Sequence, residues 1–211
     1  MPPDALTIVV ALKGGPAAKS RLSCVITAAQ RRALWWSMAD HVLGVLAALP
    51  GPTRRFIVSA CPDAALLAAR HGAGVIFDAR QGGTSAAYEQ ALDHLGADAP
   101  ALLLNGDLPC LTADDVAAMT QDATQVAIAP DSRQVGTNAL FVPAGTRLPP
   151  QFGIDSFTRH IAAAEAAGLS YRIVRSPSLA KDVDEPDDLL TLPDHPFPSP
   201  QDARGPQWRT D

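Results

Sequence analysis

Leu6-Thr-Ile-Val-Val-Ala-Leu12 is an unbroken aliphatic and β-branched run, the pattern of a strand covered on both faces. It empties at once into Lys13-Gly-Gly-Pro-Ala-Ala-Lys-Ser-Arg21, a loop with two glycines and three cations. A buried strand followed by such a loop reads as the opening of a parallel α/β sheet, in which ligands lie beyond the carboxyl ends of the strands. The rest of the chain continues the alternation. Thr27 with Gln30 forms a capping-box pattern that opens a long helix ending near Leu49, before Pro50-Gly51. Further strands are expected at Arg54–Ser59, Gly74–Phe77, Ala101–Asn105, Val126–Ala129, Asn138–Val142 and Tyr171–Arg175. Helices are expected at Pro62–His71, Ser85–Leu95, Thr112–Gln121, Ser156–Ala167 and Pro186–Leu190. Gly72 suits a left-handed C-cap, and Thr112 an N-cap with Asp114 and Asp115 favourably placed in the first turn.

The expected architecture is one α/β domain over residues 1–192, a mostly parallel sheet with helices on both faces. Residues 193–211, rich in Pro, Asp and Arg without periodicity, are expected to form a mobile tail. With 211 residues, the chain suffices for one well-buried core but not for two. A net charge of −5 argues against nucleic acid as the main partner. No apolar run approaches the roughly 20 residues needed to cross a bilayer, and the first residues lack the basic start of a signal peptide. Cys24, Cys61 and Cys110 are widely spaced and form no metal or disulfide pattern, which points to a reducing cytoplasm. Cys61 and Cys110 read as packing residues.

Three segments carry the chemistry. In the Lys13–Arg21 loop, glycines allow close backbone approach and Lys13, Lys19 and Arg21 suit a polyphosphate, although the G-x-x-x-x-G-K-[ST] spacing of a P-loop is absent. A solvated basic loop is the bland alternative. In Leu102-Leu-Leu-Asn-Gly-Asp107-Leu-Pro109 an apolar strand delivers a carboxylate at its end, where a hard oxygen ligand for Mg²⁺ belongs; the alternative is a turn-capping Asp. In Lys181-Asp-Val-Asp-Glu-Pro186, Asp182 and Asp184 stand two residues apart in extended chain and so face one side. Such crowding calls for a neutralising cation, unless the segment is simply an acidic lead into a Pro-initiated helix. His41, His71, His94 and His160 fall on expected helices without metal-type spacing and read as surface or satisfied histidines. Ser85 and Ser156 lack a nucleophile elbow. Trp35 and Trp36 are adjacent on a helix and cannot share a face, so one of them should cover a neighbouring element or a homodimer contact.

Taken in order, Val9-Val-Ala-Leu-Lys13, Ala18-Lys-Ser-Arg-Leu22, Gly106-Asp-Leu-Pro109, Gly136-Thr-Asn-Ala-Leu140, Phe152-Gly-Ile-Asp-Ser-Phe157 with Arg159-His160, and Asp182-Val-Asp-Glu-Pro186 resemble the guanylyltransferases of deazaflavin coenzyme F-420 biosynthesis. These enzymes couple GTP to 2-phospholactate, phosphoenolpyruvate or 3-phosphoglycerate, and are related to the nucleotide-diphospho-sugar transferase fold. The resemblance implies that Lys13 contacts the acid and phosphates, and that Lys19 and Arg21 meet the triphosphate. It also implies that Thr137, Gly153 and Ser156 hold the acid, that Asp107, Asp182 and Asp184 bind Mg²⁺, and that Gly82, Gly83 and Thr84 belong to the base loop. Two features depart from the family pattern: Gly82-Gly-Thr84 replaces a Gly-Leu-Asn sequence, and Gly14-Gly15 stand where a bulkier residue usually follows the first lysine. Molybdopterin- or sugar-phosphate-directed transferases, glycosyltransferases, and a non-catalytic nucleotide-binding module remain as alternatives on the residues alone.

Overall fold

The computed structural model describes residues 5–13, 19–96 and 99–192. The chain runs β1 (Leu6–Ala11), α1 (Ala28–Ala47), β2 (Thr53–Ser59), α2 (Ala64–His71), β3 (Gly74–Phe77), α3 (Thr84–Leu95), β4 (Ala101–Asn105), α4 (Ala113–Thr120), β5 (Val126–Pro130), β6 (Thr137–Val142), α5 (Ser156–Ala166) and β7 (Tyr171–Ile173). Short 3₁₀ turns cover Ser20–Cys24 and Pro186–Thr191. The strands form one sheet in the order β3-β2-β1-β4-β6-β5-β7. The expected tail from Pro193 lies outside the described residues. No helix among those described is long and apolar enough to cross a membrane.

The sheet is mostly parallel, as expected, with one reversed strand. β6 runs antiparallel to both β4 and β5. The cause is connection length: only residues 131–136 separate β5 from β6, too few for the crossover a parallel pair requires. Both faces are covered. In β1, Ile8 and Val10 pack with α1, α2 and α4, while Val9 and Ala11 face α3 and α5. In β4, Leu102 and Leu104 take the first side and Leu103 the second. This is why Ile8–Ala11 and Ala101–Leu104 are apolar at consecutive positions.

Local signals set the boundaries. Thr27 Oγ1 accepts from the Gln30 N–H at 3.3 Å while the Gln30 side chain accepts from the Thr27 N–H at 2.8 Å. Thr112 and Asp115 close a second capping box at the start of α4. Gly72 ends α2 in the left-handed region, φ 63°. The loop expected over Lys13–Arg21 gives way at Ser20 to the 3₁₀ turn, because Leu22 is fully buried beneath it, with Ile26, Leu34, Met38 and Val183. Trp35 sits in the core, and Trp36 packs beside it with ring centroids 6.3 Å apart, so both rings are used within the chain.

Candidate active site

The sheet order reverses between β1 and β4: β2 and β3 lie on one side, β6, β5 and β7 on the other. Open α/β sheets place ligands at this switch point, and a cleft of about 840 Å³ opens there. Leaving β1, the chain is pinned to β2, since the Leu12 N–H donates to the Val58 carbonyl and Ser59 Oγ donates to the Leu12 carbonyl at 2.6 Å. Leaving β4, it crosses β1 so closely that a Cβ on Gly106 would stand 1.9 Å from Leu12 Cδ2 and 3.1 Å from the Ala11 carbonyl oxygen. Glycine at that position is what lets Asp107 sit beside the exit of β1.

Lys19 approaches from the opposite wall. Its backbone is left-handed, φ 53°, and the turn that carries it is anchored by Leu22, whose full burial is worth roughly 1.5–3 kcal/mol. Lys19 Nζ lies 2.5 Å from Asp107 Oδ2 and 2.9 Å from Asp184 Oδ1. Burial alone would lower the ammonium's pKa, but Asp107 and Asp184 more than offset it, and the net shift is upward. Asp184 likewise experiences burial as its largest influence, yet Lys19 and Arg21 hold its pKa below the ordinary carboxylate value.

Val183 is buried in the same cluster as Leu22, so Asp182 and Asp184, on either side of it, both reach the cleft, as extended chain requires. Burial, then the nearby Asp107 and Asp184, push the Asp182 carboxyl up to about 7. The turn beyond is shaped by Asp188, whose Oδ2 accepts from the Asp184 and Glu185 N–H groups at 2.9 and 2.7 Å. Arg133 pairs with Glu185 at 2.8 Å.

A hydroxyl-bearing part of the same cleft accompanies these charges. Because β6 runs backwards, its first residue, Thr137, reaches the rim where β1 and β4 end. Thr137 and Ser156, the first residue of α5, are both almost wholly buried, yet both line the cleft. Between them Gly153 takes φ 118° and Asp155 φ 52°, a bend that only glycine adopts readily at the first position. Ser85 Oγ donates to the Phe152 carbonyl at 2.9 Å and so ties α3 to this loop.

The structure thus brings together Lys13, Lys19, Arg21, Thr84, Asp107, Thr137, Gly153, Ser156, Asp182 and Asp184 along one cleft. Gly82 and Gly83 do not line it; Gly83 instead caps α3, with φ 98°. Lys19 differs from the sequence reading, in which it faced phosphates: converging carboxylates draw its ammonium between them. Among the described residues no three acidic, His or Cys side chains form a ready cation cage. The donor set still suits a hard cation, because Asp107 Oδ1 is buried without a hydrogen-bond partner and Asp182 is crowded by two carboxylates. Sequence reasoning missed Asn105, Asp131 and Arg133, which also line the cleft. A usable cue was the brevity of the segment between the two expected strands around residues 131–136, which forces it onto the shared rim.

Residues 6–196 match the family described as guanylyl transferase CofC like. The chain belongs to the CofC-like guanylyl transferases. It is 40% identical over 208 residues to the 3-phospho-D-glycerate guanylyltransferase of Phenylobacterium zucineum, covering 95% of this chain and 91% of that one. To the phosphoenolpyruvate guanylyltransferase of Chloroflexus aggregans it is 37% identical over 189 residues, 86% and 94% of the two chains. Among solved structures, a provisionally assigned nucleotide-diphospho-sugar transferase from Desulfovibrio desulfuricans G20 superposes with a TM-score of 0.72 at 19% identity, covering 90% of this chain and 86% of that one. This last likeness establishes that the CofC-like chain shares that fold.

Proposed function

We propose that this CofC-like protein transfers GMP from GTP to the phosphate of a three-carbon phospho-acid, releasing pyrophosphate as a step in deazaflavin coenzyme F-420 biosynthesis, with Mg²⁺ as cofactor. The observation that carries the reading is a junction within one cleft. Thr137, Gly153 and Ser156 line the same cleft as the cations Lys13 and Arg21 and the carboxylates Asp107, Asp182 and Asp184. The names of the two guanylyltransferase relatives support the same reading, and their acids, with 2-phospholactate, are the acceptors to test. Three free thiols suit a reducing cytoplasm.

An oxygen of the acid's phosphate forms the new bond to the α-phosphorus of GTP. The bond from that phosphorus to the bridging oxygen of the β-phosphate breaks, and the electron pair leaves with pyrophosphate. The attacking oxygen is already ionised, so no base is needed. The main obstacle is repulsion between two polyanions, about 4 kcal/mol per pair of unit charges 4 Å apart at an effective dielectric near 20. Lys13 and Arg21, exposed on the cleft, offset it, while Thr137, Gly153 and Ser156 orient the acid. Thr84, at the start of α3, lies on the nucleotide side. Asp107, Asp182 and Asp184 would hold Mg²⁺, which when bound neutralises triphosphate charge and stabilises the leaving pyrophosphate.

The test is incubation with GTP, Mg²⁺ and each acid separately, following pyrophosphate and identifying products by mass. One acid should yield its diphosphate-linked guanosine adduct. No pyrophosphate from GTP with any of the three acids overturns the reading.

A further inference from the structure

The acid pocket is assembled from the start of β6, the loop before α5, and α5 itself. One side chain touches all three. His160, on α5, is fully buried. Its Nε2 lies 2.9 Å from the Gln151 backbone N, its Nδ1 lies 2.9 Å from Thr137 Oγ1, and its ring meets Phe152 edge-on with centroids 4.9 Å apart.

The two nitrogens are not interchangeable. A backbone N–H can only donate, so Nε2 must present its lone pair to Gln151. The ring is uncharged at neutral pH, with its pKa brought down to about 4 chiefly by burial, so its single proton sits on Nδ1. Nδ1–H therefore donates, and Thr137 Oγ1 accepts. The Ser156 carbonyl, one turn back, also favours a proton on the ring. With its oxygen engaged as an acceptor, the Thr137 hydroxyl has its own hydrogen left to offer, and Thr137 lines the cleft. A carboxylate can only accept hydrogen bonds. The polarity of the chain Gln151 N–H to His160 to Thr137 thus ends in a donor matched to the one group that all three acids share besides phosphate.

Resting on the functional reading above, we propose that His160 is a positioning residue for acceptor recognition, fixing the Thr137 hydroxyl as a donor to the carboxylate of the bound acid. His160 does this without touching the substrate. The Gln151 N–H and the Phe152 ring hold the imidazole itself in place.

The test uses His160→Gln, His160→Asn and Thr137→Val in the full-length protein with GTP and the active acid. An asparagine amide can replace the donor at Nδ1, whereas a glutamine reaches only the Nε2 position. His160→Gln and Thr137→Val should each raise the acid KM about tenfold, the effect of losing one hydrogen bond of about 1.4 kcal/mol, with the GTP KM within about twofold. His160→Asn should keep the acid KM within about threefold. The double variant His160→Gln/Thr137→Val should be no worse than Thr137→Val alone, because one residue acts through the other. Nitrogen-15 NMR of the wild-type ring should give the Nδ1–H tautomer. An unchanged acid KM in folded His160→Gln, additive effects in the double variant, or an Nε2–H ring overturns the proposal while leaving the transferase reading intact. Wild-type protein inactive with every acid removes both.

Discussion

Replacing Lys19 with methionine keeps length and volume but deletes the ammonium between Asp107 and Asp184. Two charge-assisted hydrogen bonds disappear, at 2.5 and 2.9 Å, each worth about 1.5–3 kcal/mol in a buried setting. The carboxylates are 26% and 47% exposed, whereas Lys19 is 8% exposed. Water can therefore repair much of the loss on the acidic side, and the desolvation cost of the ammonium is saved. A net destabilisation of about 2 kcal/mol remains, equivalent to about 4–8 °C in Tm for a domain of this size. The assay is thermal melting in EDTA at neutral pH and low salt. Mg²⁺ should then behave differently in the two proteins. In the wild type it must displace an ammonium; in Lys19→Met the carboxylates are free. Titrated Mg²⁺ should therefore raise the Tm of the variant more steeply, by about 1.4 kcal/mol at ten times its Kd. Equal melting temperatures in EDTA would refute the ion-pair argument, and equal responses to Mg²⁺ would refute the competition.

Four further outcomes follow from the same geometry. Gly106→Ala should cost about 1–3 kcal/mol through overpacking against Leu12 and the Ala11 carbonyl; because it also displaces Asp107, turnover should fall more than about tenfold, and wild-type urea melts and rates would contradict the close approach. Asp107→Asn should abolish pyrophosphate release while leaving the circular dichroism spectrum unchanged, and wild-type turnover would remove Asp107 from the cation site. Ser156→Ala should raise the acid KM with little change for GTP; the opposite pattern would reassign the start of α5. His160, neutral and buried with Arg159 its charged neighbour, has its pKa lowered to about 4. Its contribution to stability is therefore complete above the unfolded value near 6.5 and is lost as pH falls toward 4, in total about 3 kcal/mol. Urea melts between pH 7 and 5 should show this slope in the wild type and not in His160→Asn.

What the sequence disclosed followed the range of the interactions. The capping boxes at Thr27 and Thr112 and the C-cap at Gly72 depend on residues a few positions apart, and the strands of β1 and β4 declare themselves by burial on both faces. The pairing of Asp182 with Asp184 was readable because alternation along an extended chain is a local property. The position of the Lys19 ammonium was not, since its partners lie 88 and 165 residues away. His160 reads correctly as a satisfied histidine, but its partner Thr137 is 23 residues off on another element, and only that contact gives its tautomer a consequence. The reversal of β6 was implicit in the shortness of its connection to β5, yet strand direction becomes visible only when neighbours in the sheet are known.

That reversed strand divides the labour of the protein along the chain. Apart from Lys13, which is shared, and the cation ligands Asp182 and Asp184 near the end of the chain, the residues assigned to the nucleotide precede α4, whereas those assigned to the acid fall between Thr137 and Ser156. The stretch 131–160 supplies one wall of the cleft and is tied to the rest through Ser85, Asn105 and the pairing of β6 with β4 and β5. Grafting this stretch from a relative with a different acid should transfer acceptor preference while leaving the KM for GTP where it was. On the proposed assignments, acceptor choice can thus change within this stretch while Arg21, Thr84 and Asp107 stay as they are.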